Sequence, residues 1–397
     1  MNSGAEGFMS VIKDIEARKI LDSRGVETVE VKVSLDSGIM VTDSVPSGIS
    51  TGSFEAVAVD PTVAVNNVNS IIRTQLIGMN PSEQGKIDQL MLDLDGTPNK
   101  SKLGANAILG VSLAVSRAAA AEAKMPLYMY LNALFNQVSG LTVKPAIPTP
   151  MMVMVEGGKH VKDGKSCIQE YLCITTLENG GKIWNRLKHN LGKENFGTKL
   201  GLEGGFAPNL EYEEDALRLI MDAANEEGLN IPQDVKLGLD IAGNHCEMTQ
   251  DDIMSLMQRY PIYSLEDPFS ENEWPEWSQL TTTLGQLNRE YLLVGDDLFV
   301  TNLEKLEKGL NKLAANGIII KLNQVGTLTE TLSVIAHAQK AKITHILSHR
   351  SGETMDTYIA DLAVATAAKF MKSGAPFASE RVIKYNRLKE IAESLNK

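Results

Sequence analysis

Between Ile20 and about Val45 the side chains alternate, with Val29, Val31, Val33 and Leu35 apolar and Glu30, Lys32 and Ser34 polar. A period of two places the first set on one face of a half-buried strand. Asp36-Ser37-Gly38 then supplies a turn, so the stretch predicts an antiparallel hairpin. Helical spacing takes over from roughly Thr62 to Ile77, and again through an Ala-rich segment ending near Ala123. Strands followed by helices describe an α+β unit. Pro145, Pro148 and Pro150 interrupt regular structure. The boundary is placed there, giving a smaller α+β domain over residues 1–144 and a second domain over 145–397.

The second domain has a different rhythm: short apolar runs that end in a charged or polar residue. Cys167-Ile168-Gln169-Glu170 is one, and Leu237-Gly238-Leu239-Asp240, Ile262-Tyr263-Ser264-Leu265-Glu266 and Leu292-Leu293-Val294-Gly295-Asp296 are clearer. Ile318-Ile319-Ile320-Lys321 and Ile346-Leu347-Ser348-His349-Arg350 follow. From Asp240 onward these ends recur roughly every 25 to 30 residues, the size of a strand, helix and two loops. Repeated βα units with apolar strands imply a parallel sheet buried on both faces. In a (β/α)8 barrel the strand C-termini meet at one mouth, so the charged ends are expected to converge.

An acid after a strand is commonly a helix N-cap, but several together call for another account. Asp240, Glu266 and Asp296 offer only oxygen ligands, a donor set suited to Mg2+ rather than zinc. Lys321, on the next strand, is expected to have its ammonium pKa lowered by neighbouring positive charge and partial burial, which makes it a base; the plainer reading is a lysine that pairs with the carboxylates. His349, Arg350 and Ser351 add donors for a phosphate or carboxylate. This set alone suggests metal-assisted proton abstraction beside a carboxylate.

Composition narrows the field. With 397 residues and 43% apolar content the chain is too long for one ordinary core. A net charge of −12 repels nucleic acid and anionic lipid over most of the surface. Leu103–Lys124, the most apolar long stretch, holds Ser112, Ser116 and Arg117 and reads as a packed helix. Glu6 ahead of Lys13, with no uninterrupted apolar core after it, speaks against a secretory signal. Three cysteines, Cys167, Cys173 and Cys246, are too few for a disulfide framework or a metal cage, so a reducing, cytoplasmic setting is expected.

Several segments in order carry a resemblance over nearly the whole chain: Asp22-Ser23-Arg24-Gly25, Pro46-Ser47-Gly48-Ile49-Ser50-Thr51-Gly52, Leu202-Glu203-Gly204-Gly205-Phe206-Ala207-Pro208-Asn209, Ser264-Leu265-Glu266-Asp267-Pro268, Gly295-Asp296-Asp297-Leu298, Lys321-Leu322-Asn323-Gln324, Ser348-His349-Arg350-Ser351-Gly352-Glu353 and Lys384-Tyr385-Asn386. With these the sequence resembles the enolase family. The resemblance implies a TIM-like enolase barrel behind an N-terminal capping domain, and a cytoplasmic, glycolytic lyase that removes water from 2-phosphoglycerate with two Mg2+ per site. It makes Asp240, Glu266 and Asp296 the ligands of the first magnesium, with Ser50 helping to hold the second and lying by the substrate. Lys321 becomes the base at C2 and Glu203 the acid at the C3 hydroxyl. Gln169 and Glu170 lie near that acid, with Glu170 tuning it by like-charge repulsion. His160 closes over the substrate with His349 nearby, Arg350 and Ser351 clamp the phosphate, and Lys384 is the cation beside the carboxylate. His189, His245, His337 and His345 are read as structural or surface residues. A homodimer or higher homo-oligomer is expected.

The departures cluster around the mouth. The loop the family carries after Glu55 is missing, and the insertion between Asp240 and Glu266 is shortened. Glu156 stands where the family has Asn, and Leu202 replaces the Asp before Glu203, a loss expected to lower that acid's proton affinity. Ala392 occupies a position where an acid pairs with the Arg matched by Arg24 across the family's dimer interface. Altered lids leave an alternative, a paralogue acting on a related phospho or phosphono acid, similar to carboxyphosphonoenolpyruvate synthase. A cation gained in the shortened loops, among Lys159, Lys162 and Lys165, is the feature that separates the two.

Overall fold

A computed structural model describes residues 10–48, 54–161, 166–210 and 212–395. The alternating stretch forms β2 (Glu27–Leu35), whose Val29, Val31, Val33 and Leu35 are all buried against the Ala-rich helix Ala105–Glu122. Its partners on either side are β1 (Ile12–Leu21) and β3 (Met40–Ser44), both antiparallel. β1 lies largely ahead of the expected hairpin: its outward positions Glu16, Arg18 and Lys19 are charged and break any continuous apolar run. Gly110 lets the long helix press on the sheet, since a Cβ there would stand 2.7 Å from Val31 Cγ2. Among the described residues, no helix is long and apolar enough to cross a membrane.

The second part is a closed barrel of eight strands: β4 (Thr149–Glu156), β5 (Glu170–Ile174), β6 (Lys236–Asp240), β7 (Ile262–Glu266), β8 (Leu292–Gly295), β9 (Gly317–Ile320), β10 (Thr344–Ser348) and β11 (Phe370–Lys372), which closes on β4. Alternate residues fill the interior, among them Met151, Val153, Leu172, Ile174, Val294, Ile319 and Ile346. The opposite faces, such as Met152, Met154 and Cys173, pack under the helical layer.

The expected all-parallel sheet needs correction at one strand. β5 runs antiparallel to both β4 and β6, while the other neighbours are parallel. The chain between Glu156 and Glu170 joins β4 to β5, and among its described residues it holds one 3-10 turn, Gly158–His160, and no crossover helix. Two helices, Leu177–Lys193 and Glu213–Glu226, then fill the space before β6. The reversal also corrects the placement of Glu170, which begins β5 rather than ending a strand and reaches the mouth because that strand points the other way.

The same reversal brings two of the three cysteines together, a pairing the sequence reading did not anticipate. β5 begins where β6 ends, with Gln169 N–H donating to Asp240 O at 2.9 Å, so the residues just beyond each end are neighbours. Cys167 and Cys246 lie in those flanking segments and form a disulfide with Cα atoms 5.1 Å apart; Cys173 stays free and buried.

Candidate active site at the barrel mouth

The mouth is lined by His160, Gln169, Glu170, Glu203, Asp240, Asp296, Lys321, His349, Arg350 and Ser351, so most of the sequence-derived set converges on one cavity. Glu266 lies just behind this lining, buried at the end of β7. Ser50, Lys162 and Lys165 fall outside the described residues. Gly48 leads toward Ser50 and itself faces the cavity; a Cβ on it would collide with the Arg350 guanidinium at 1.9 Å.

Lys384 is the clear exception. It is buried, with Nζ 2.8 Å from Glu353 Oε2 and donating to the carbonyls of Thr354 and Glu380, and it does not line the cavity. A further cation in the mouth is Lys372, at the end of β11. Its Nζ lies 2.8 Å from Glu170, 3.1 Å from Asp240 and 2.8 Å from Glu266. Phe370-Met371-Lys372 is another apolar run ending in charge, so the signal that marked the other strand ends was present here too.

Lys321 pairs with Asp296. The expected lowering of its ammonium pKa is not observed: burial and Arg350 push it down, but Asp296 and Glu266 outweigh them and hold it above the ordinary range. Around this pair Gln324 donates to Asp296 Oδ1 at 3.1 Å and receives Thr301 Oγ1 at 2.7 Å, while Thr301 accepts the Lys321 N–H. Asp267 accepts from the N–H groups of Asp296 and Asp297 at 3.0 and 2.8 Å and so fixes the acidic turn after β8.

The donor set fits a hard cation. Asp240, Glu266 and Asp296 contribute carboxylate oxygens from three successive strand ends. Lysines stand against all three, Lys372 against Asp240 and Glu266 and Lys321 against Asp296. A tighter group is Asp267, Asp296 and Asp297, with one oxygen of each within 4.8 Å of the others. Burial, then Asp240 and Asp296, push the Glu266 carboxyl up to about 8, and burial with the adjacent acids raises Asp267 well above its ordinary range. Such crowding of buried carboxyls is relieved by a divalent cation.

On the other side of the mouth, Arg381 donates to His349 Nδ1 and to the Arg350 and Ser351 carbonyls. With Nδ1 accepting, the proton of a neutral imidazole sits on Nε2, 2.9 Å from Glu203 Oε2. Burial is the main reason His349 is pushed down to about 4, with Arg381 adding to it, so the ring is neutral at pH 7. Burial raises Glu203, yet His349, His160 and Arg381 together hold it well below the carboxylate range. Glu170 goes the other way, raised by burial and by Glu203 and Asp240 against the pull of Lys372. The two neighbouring carboxyls are thus pushed in opposite directions.

Arg350 carries an ion pair to Glu55, 3.1 Å from Nη1 to Oε2, and donates to Asn323 Oδ1 at 2.9 Å. Sequence reasoning missed Glu55 and Arg381 as well as Lys372, and it read His245, which is exposed, without its place at the cavity rim. That histidine lines the cavity and meets Lys159 Nζ at 2.8 Å, because the shortened segment after Asp240 folds over the mouth.

The family comparison agrees with this architecture. Residues 12–131 match the model described as the N-terminal domain of enolase. Residues 144–252 and 244–397 match the C-terminal TIM barrel domain of enolase in two stretches, and these meet in the shortened segment after Asp240. Barrel, capping sheet and acidic mouth are those of a lyase-type fold, and the chain belongs to the enolase family.

Proposed function

We propose that this chain catalyses the reversible dehydration of 2-phosphoglycerate to phosphoenolpyruvate. One observation carries the reading: a lysine and a carboxyl face one cavity from opposite walls. Lys321 follows β9, while Glu203 lies beside β4 and β5, and β9 is four strands from β5 around an eight-stranded barrel. Lys321 takes the C2 proton and the electron pair passes into the substrate carboxylate. The pair then returns to form the C2–C3 double bond as the C3 hydroxyl leaves with a proton delivered through Glu203, which its neighbour Glu170, a carboxyl raised in proton affinity and with an oxygen within 4.8 Å, supplies. Asp240, Glu266 and Asp296 would hold Mg2+, which would supply charge neutralisation to the substrate carboxylate. Lys372, in place of Lys384, is the cation nearest that carboxylate, and Arg350 with Ser351 receives the phosphate.

The test is ultraviolet absorbance of the protein mixed with 2-phosphoglycerate and Mg2+, following the conjugated enol product. Rapid formation that a chelator abolishes is expected, and no product from folded, Mg2+-loaded protein sinks the assignment. Arg350→Ala is expected to raise KM by roughly 10- to 100-fold, the value of one charge-assisted contact. An unchanged KM removes Arg350 from the phosphate site.

The Lys159–His245 pair favours a second reading, a phosphono-acid substrate whose extra anion reaches the rim. Turnover of phosphono acids with silence on 2-phosphoglycerate selects it. Glycolytic placement, a cytoplasmic setting and a homo-oligomer follow from the first reading, the last being open to sedimentation analysis.

A further inference from the structure

We infer that Glu156 is a positioning residue of this site, whose carboxylate caps the turn bearing Glu203 and docks His160 between Glu203 and Glu170. Glu156 ends β4 and is 2% exposed, a depth at which a carboxylate persists only with partners. Both its oxygens lie 3.1 Å from the Glu203 N–H they accept, and Oε1 also accepts from Gly205 N–H at 2.8 Å. The turn is shaped around this group. A Cβ on Gly201 would stand 2.6 Å from the Glu156 carboxyl carbon, and one on Gly205 3.1 Å from Oε1. An amide at the same position could keep the contacts of one oxygen but would turn its NH2 toward the Glu203 N–H or the His160 ring, so only an acid presents an acceptor on both sides.

His160 Nδ1 lies 3.4 Å from Glu156 Oε2 and 3.6 Å from Glu170 Oε1, and an atom of the ring is within 4.8 Å of both Glu170 and Glu203. Three carboxyls thus face one imidazole. The nearby cations are engaged elsewhere: Lys372 with Glu170 and the strand-end acids, Arg381 with His349, and Lys159 with His245. Burial pushes His160 down, but the Glu156 contact and then the Glu203 and Glu170 charges push it up to about 9. Its folded value is raised, so this docking is fully present below about 6.5 and is lost as pH climbs through about 9.

From the proposed function the inference takes only the role of Glu203 as proton donor. The test is the NMR titration of the His160 ring in the full chain, native and Glu156→Gln, which needs no substrate. The native ring is expected to titrate near 9, and in the variant at least about one unit lower, a tenfold loss of proton affinity. The high-pH limb of kcat should move with it while KM changes little. Glu156→Asn is a second variant with the same expectation. A native ring titrating near 6.5, or an unchanged value in a folded variant, overturns the inference. Absence of turnover on 2-phosphoglycerate overturns the proposed reaction and leaves this titration standing.

Discussion

Lys321→Ala is expected to lower turnover by roughly 10³- to 10⁴-fold, the scale on which a positioned base acts, with circular dichroism unchanged. The ammonium is buried against Asp296, and the Gln324–Thr301 chain fixes both partners. Arg350 and Lys372 are the cations nearest by, and both are committed to carboxylates. Asp296 and Glu266 favour the ammonium form of Lys321, and a cation bound at Asp296 would weaken that hold. Stopped-flow absorbance with the variant checks this. Turnover within tenfold of the native rate would assign the base elsewhere.

Lys372→Met should be the most damaging single change to stability. The methionine keeps the stem but leaves Glu170, Asp240 and Glu266 buried without the ammonium that now touches all three. Removing one partner from a buried charge cluster costs about 3–5 kcal/mol. Urea denaturation with Mg2+ chelated should show that loss, and excess Mg2+ should recover more stability in the variant than in the native chain. A variant as stable as the native chain under chelation would mean that those carboxyls are already neutral. Proton uptake by Glu170 and Glu266, both raised above the ordinary carboxyl range, would then be the explanation.

The barrel was legible because its strands are buried on both faces and end in charge, a pattern that survives without any neighbour being known. Asp240, Glu266, Asp296 and Lys321 were found in this way. The reversal of β5 was not legible, since an apolar run carries no mark of its direction. Its N-terminal Glu170 reached the mouth all the same. Lys372 was overlooked because Phe370–Lys372 is three residues long, and the lysine assigned to its role, Lys384, lies on the helix Ser379–Leu395 and turns to Glu353. Lys384 was carried over from the matched Lys384-Tyr385-Asn386 segment, and such a match does not say which way a side chain points. The base's protonation state was misjudged for a related reason: the lysine's burial could be guessed, but its pairing to one particular carboxylate needs coordinates. Similarly, Glu156 could be noted as an acid where the family has Asn, but its hold on the Glu203 backbone depends on a turn more than forty residues later in the chain.

The central claim is a division of labour in which Lys321 removes the C2 proton and Glu203 serves the C3 hydroxyl. The most direct measurement is exchange of the C2 hydrogen of 2-phosphoglycerate with deuterated solvent, followed by NMR in the native chain, Glu203→Gln and Lys321→Ala. The account predicts that Glu203→Gln still exchanges C2 hydrogen while forming almost no enol product, and that Lys321→Ala does neither. Exchange that survives in Lys321→Ala, or that disappears in Glu203→Gln with the protein folded, would contradict it.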